Sequence, residues 1–185
     1  MQSNRPWPLI FHFFGQETAR KIHPWGFTAE FSQPAEQGGP NYEFVAAQET
    51  GCLRVLETEG LLMAGNDVFY YDQAIGTALD VLEFAARFFR NIALGEAKEI
   101  SIRLEWGGLK GRRIGAAQVA MLPSYEQRIS QTDVTVSEIR FPLADAEKDV
   151  PAKIERLLTR VFNQFGMFHK SDIYQKIIDQ WKSGQ

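Results

Sequence analysis

The sequence predicts an α+β fold: an antiparallel sheet with helices packed on one face. Three observations carry that prediction. The octapeptide EISIRLEW (99–106) alternates strictly, with Ile100, Ile102, Leu104 and Trp106 on one side and Glu99, Ser101, Arg103 and Glu105 on the other. The stretch YDQAIGTALDVLEFAARFFRN (71–91) instead repeats its apolar residues every three or four positions, the period of a helix. The second half of the chain then runs helix, strand, strand, strand, helix, helix, an order that segregates helices from strands. One domain is expected over residues 1–185, with an irregular aromatic-rich segment over about the first 40.

Each element has its own local reason. GQETARKIHPWG (15–26) is expected to hold one helical turn before Pro24. FTAEF (27–31) sets Phe27, Ala29 and Phe31 against Thr28 and Glu30, the alternation of a half-buried strand. SQPAEQGGPN (32–41) is a loop by its prolines and glycines, and YEFVA (42–46) resumes the strand pattern. Residues 53–57 and 61–64 follow as two short strands around Glu59-Gly60, which makes this region an antiparallel meander.

In the helix at 71–91, Ile75, Leu79, Leu82, Ala86 and Phe89 form one apolar face, widened by Val81, Phe84, Ala85 and Phe88. Asp80, Glu83, Arg87 and Arg90 are left as a polar stripe, in which Glu83 and Arg87 stand as a favourable i,i+4 pair. A helix this apolar is expected to be covered on most sides. RRIGAAQVAML (112–122) is expected to return as the hairpin partner of 99–106, and DVTVSEIRF (133–141) as a further strand. The helix at 150–166 starts at Asp149 or Val150 with Pro151 in its first turn and stops at Gly166. A last amphipathic helix begins at Ser171 and presents Ile173, Tyr174, Ile177, Ile178 and Trp181.

Composition bounds the function. The 185 residues are 44% hydrophobic and 23% charged, ordinary for a globular chain. A formal charge of −3 and a pI near 5.7 speak against a dedicated nucleic-acid binder, which carries a net basic surface. A single cysteine, Cys52, rules out an intramolecular disulfide framework and favours a reducing compartment. PLIFHFF (8–14) is short, contains His12 and is followed by no small-residue cleavage site, so no signal peptide is expected. No run reaches the roughly 18–20 apolar residues of a membrane span. A cytoplasmic protein is expected.

The stretch with the strongest chemical flavour is EWGGLKGRRIG (105–115). A phosphate loop needs a helix directly after its glycines, and ends in Gly-Lys-Ser/Thr; neither is present. Its glycines fit a hairpin turn, while Arg103, Lys110, Arg112 and Arg113 make a candidate nucleic-acid contact. His12, His23 and His169 lack the spacing of metal ligands, Cys52 has no partner base nearby, and Glu57 and Glu59 read as a solvated strand end. No catalytic residue, metal or cofactor is therefore assigned. Trp7, Phe11, Phe13 and Phe14 at the N-terminus, Phe84 and Phe88 on the long helix, and Trp181 near the C-terminus are candidate interface residues.

From residue 72 onward the order of a long apolar helix, ISIRLEWGGLKGRRI, VTVSEIRFPL and a helix ending LLTRVFNQFG resembles the C-terminal region of bacterial proteins that carry a Schlafen-type AlbA module, the DNA- or ATP-binding regulators. The AlbA module itself has no counterpart here. The resemblance implies an accessory or sensor domain acting beside a separate effector, and it brings over no functional residue. The leading expectation is a non-enzymatic interaction or regulatory subunit of a bacterial-type intracellular assembly, with a protein partner or a second copy of itself. Weak nucleic-acid binding through 103–113 is the second reading. An enzyme whose site forms only in three dimensions is the third.

Overall fold

The computed structural model describes residues 16–23, 26–32, 42–48, 53–57, 67–91, 99–116, 129–167 and 171–183, the first four stretches by backbone and strand pairing. The chain divides into two compact units, one within Phe11–Asn66 and one holding everything from Asp67 to the C-terminus.

The first unit is a four-stranded antiparallel meander: β1 (Gln16–His23), β2 (Gly26–Ser32), β3 (Tyr42–Gln48) and β4 (Leu53–Glu57), each paired with the next. The meander was expected for 27–57; the helical turn before Pro24 was not realised. Residues 16–23 are a strand, pairing from Gln16 opposite Ser32 to His23 opposite Gly26, with an irregularity between Glu17 and Ala19. The close return of His23 on Gly26 places the whole segment beside a strand, and ladder hydrogen bonds outweigh a weak local helical preference. The expected strand at 61–64 lies outside the described residues.

The second unit is α+β. It contains β5 (Val68–Tyr70), α1 (Tyr71–Asn91), β6 (Glu99–Trp106), β7 (Arg113–Gly115), β8 (Thr135–Pro142), a 3-10 turn at Leu143–Asp145, α2 (Val150–Gln164) and α3 (Ser171–Ser183). The strands form two pairs: β6 with β8, antiparallel over all eight residues, and β5 with β7, parallel over three. The hairpin expected between 99–106 and 112–122 is therefore corrected. The partner of β6 is β8, and the part of 112–122 that is described pairs with β5 instead. The turn after β6 explains the change. Arg112 N–H donates to Leu109 C=O at 3.0 Å, with Gly111 at φ 83° in the third position of the turn. Leu109 is 1% exposed and pins this turn into the core, while Leu109 and Gly111 donate to Asp133 and Ser130 carbonyls. The chain is thus held against 129–133 and does not fold back along β6.

The inward side of the β6–β8 ribbon is Ile100 and Ile102 with Ile139 and Phe141, all buried. α2 packs on both strands of the ribbon and α1 packs on β6, α2 and α3. The core is completed by Ile75, Leu79 and Leu82 of α1, Ile154, Leu157, Leu158 and Val161 of α2, and Tyr174, Ile177 and Ile178 of α3. On the opposite side of the ribbon no helix lies among the described residues, and Glu99, Ser101, Arg103, Glu105, Glu138 and Arg140 are exposed. This is the expected arrangement, helices on one face only.

Three local devices fix the helices. α2 begins after Asp149, in the left-handed region at φ 48°, with Pro151 in the first turn as expected. It ends at Gly166 (φ 62°), where Gly166 N–H donates to Asn163 C=O and Met167 N–H to Phe162 C=O, a Schellman closure. Lys153 is buried on α2; its ammonium donates to the carbonyls of Asp145 (2.9 Å) and Lys148 and lies 5.2 Å from the centre of the Phe141 ring. It so ties the turn 143–149 to the helix, and burial pushes its pKa below the ordinary lysine value. The third device joins α1 to α3. Gly76 has no side chain, and the Trp181 indole occupies the space: a Cβ at 76 would stand 2.5 Å from two of its carbons.

Candidate functional site

The ribbon's outer face is the most organised polar surface among the described residues. The register brings Arg103 opposite Glu138 and Ser101 opposite Arg140, while Glu99 faces Pro142 and Glu105 faces Val136. Opposite charges directly across an antiparallel pair favour the pairing. Glu138 is the hub. Its carboxylate accepts from Arg140 Nε at 2.9 Å and from Ser101 Oγ at 3.1 Å. The Arg140 contact first, then the Ser101 hydroxyl, hold the Glu138 pKa below the usual carboxylate range, and Glu138 in turn raises that of Arg140. Arg103 Nη2 reaches Glu105 on the same strand at 3.2 Å. The face therefore carries fixed, alternating charges of both signs.

Among the described residues the ribbon also has open edges: β6 is paired on one side only, and no strand there lies along its other edge. The edge of β8 is partly capped, since Arg160 of α2 donates to Val136 C=O at 3.1 Å. Toward one end of β6 the inward residues Leu104 and Trp106 are only half-buried, whereas Ile100 and Ile102 are buried. Phe69 packs edge-on against Trp106 with centroids 5.4 Å apart, and stacks on Phe165.

The basic set expected to contact nucleic acid is spread out and largely engaged. Arg103 is paired with Glu105, and Arg113 sits 2.5 Å from Asp67. Arg112 is half-buried and Lys110 is exposed. Three backbone donors of the glycine loop are already engaged: the N–H groups of Leu109, Gly111 and Arg112 are given to carbonyls of the chain itself. Strand β7, not a helix, follows it directly.

Of the candidate interface residues, Trp7, Phe11, Phe13 and Phe14 lie outside the described residues. Phe84 is buried at 8% exposure and Phe88 is half-buried against it, their centroids 5.6 Å apart. Trp181 is engaged with Gly76, inside the unit. The apolar face of α1 that holds Ile75, Leu79 and Leu82 is packed by α2, α3 and β6, and Asp80, expected on the polar stripe, is buried. Glu83 does meet Arg87, at 3.6 Å, and also Lys182 of α3 at 3.1 Å. The large apolar residues that stand exposed among those described are Ile129 and Val134, near the glycine turn. Sequence reading missed the open edge, because it gave β6 the wrong neighbour, and it missed Lys153, whose only signal is a position beside Ile154 on an amphipathic helix.

Among the described residues no three His, Cys, Asp or Glu side chains come together as a metal ion would require, and no helix is long and apolar enough to cross a membrane. No family model matches the chain, and neither a curated protein nor a solved structure matches it.

Proposed function

We propose that this chain is a protein-interaction module, a regulatory or structural subunit of a cytoplasmic, bacterial-type assembly, and that it docks through the β6–β8 ribbon. One observation carries the reading: among the described residues an eight-residue strand has a whole edge without a strand partner, beside a face of alternating charges and half-exposed Leu104 and Trp106. An edge of this kind recruits a further strand through main-chain hydrogen bonds, and side chains on its two faces choose the partner. The likeness of residues 72–185 to the C-terminal region of the Schlafen AlbA-type regulators supports an accessory role of this sort. The test is the native mass of the chain in extracts of its own cells. Wild type is expected in a complex larger than its 21.0 kDa, and reversing Arg103 and Arg140 to Glu together is expected to release it without unfolding it. Migration of the wild type as a free monomer, or a complex indifferent to those reversals, overturns the proposal.

A further inference from the structure

We infer that the partner on the β6 edge is a second copy of this chain, in antiparallel two-fold pairing centred on Leu104, so that the two ribbons form one four-stranded sheet. This rests on the docking role proposed above and names its occupant.

The charge pattern selects the register. Keeping both apolar sides on the same side of the joined sheet requires each outward residue of β6 to face an outward residue of its copy. The centre of symmetry then falls on one of the β6 residues. Centred on Arg103, the pairing sets two guanidiniums against each other; centred on Ile102, it sets Glu99 against Glu105 twice. Two centres match opposite charges twice: Ser101, which pairs Glu99 with Arg103, and Leu104, which pairs Arg103 with Glu105. Burial decides between them. Beneath Ser101 lie Ile100 and Ile102, already buried within the chain at 2% and 5% exposure. Beneath Leu104 the pairing sets Leu104 beside its own copy and Trp106 beside Ile102 of the copy, and Leu104 and Trp106 are the half-buried residues of that face. Only the Leu104 centre satisfies charge and closes apolar surface together.

The arrangement is self-complementary, so it has a signature that general edge stickiness lacks. Arg103→Glu puts a carboxylate against Glu105 at both ends of the two-fold. Adding Glu105→Arg restores opposite charges with the signs exchanged. The outer-face side chains of both positions are exposed, so neither change disturbs the core. Sedimentation of the purified full chain over a range of concentrations is expected to show a monomer–dimer equilibrium for wild type, an equilibrium about tenfold weaker for Arg103→Glu, and recovery in the double variant. A wild type that stays monomeric at every concentration overturns the inference, as does a dimer that Arg103→Glu leaves unchanged or that the double variant fails to restore. If the purified chain is monomeric while its cellular complex still dissolves on reversal of Arg103 and Arg140, the self-pairing is wrong and the docking role stands. If the cellular complex is absent, the docking role itself fails.

Discussion

Replacing Gly76 by alanine in the middle of α1 should destabilise the protein, against the ordinary rule. In a helix interior alanine is better than glycine by about 1 kcal/mol. Here the new methyl group would lie 2.5 Å from Cε2 and Cζ2 of Trp181 and 2.6 Å from Cη2, where ordinary contact begins at 3.4 Å. The rigid indole must retreat by about an ångström, and it is backed by α3, whose Lys182 is tied to Glu83 of α1. Overpacking of this kind costs about 1–3 kcal/mol. The net effect is a loss of up to about 2 kcal/mol. Trp181→Leu removes the obstacle, and in that background Gly76→Ala should stabilise by about 1 kcal/mol. The assay is urea unfolding of the four proteins of this cycle, followed by helical circular dichroism. A coupling of about 1–3 kcal/mol between positions 76 and 181 is expected. Equal stabilisation by Gly76→Ala with and without Trp181 would refute the close contact of α1 and α3.

Other outcomes follow from the same contacts. Leu109→Ala should cost about 2–5 kcal/mol in chemical denaturation, because a fully buried side chain anchors the glycine turn; a cost within about 0.5 kcal/mol, typical of a surface site, would mean the turn is not pinned. Tyr174 is buried, and desolvation first, then Glu155, raises its pKa above the ordinary value of 10.0. A raised folded value means the stabilisation is complete below pH 10.0 and drains away above it, as the unfolded tyrosine ionises and the folded one does not. Tyr174→Phe should flatten that alkaline decline, and an unchanged pH dependence would remove Tyr174 as its source. The chain should give no mobility shift with DNA or RNA at low salt; a shift whose salt dependence is reduced by replacing Lys110, Arg112 and Arg113 with alanine would revive the second reading.

Much of the fold was legible because periodicity survives translation into burial. The alternation of 99–106 became a strand with Ile100 and Ile102 inside and charges outside, and the helix at 71–91 has the limits its pattern predicts. Pro151 and Gly166 marked the ends of α2 through local geometry that neighbours do not override. Pairing was less legible. Two strand-like runs joined by glycines suggest a hairpin, yet Leu109 in the middle of the turn is apolar and seeks the core, which diverts the chain toward β5. The wide apolar surface of α1 said that the helix would be covered on most sides, and among the described residues α2, α3 and β6 pack on it, but no local pattern told which elements those would be. An interior helix glycine such as Gly76 costs enough to signal a close approach, but nothing local names Trp181, more than a hundred residues on, as what approaches. The open edge of β6 belongs to topology, and it becomes visible only once β8 is known to be its partner.

The pairing of β6 with a second copy of itself is tested most directly by amide hydrogen exchange across residues 99–106, comparing dilute protein with protein concentrated into its associated state. Edge amides of β6 are expected to slow on association while those of β8 hold the same rate, because the new ladder forms on the β6 side alone. Exchange in β6 that stays fast at every concentration, or slowing confined to other parts of the chain, would contradict the account.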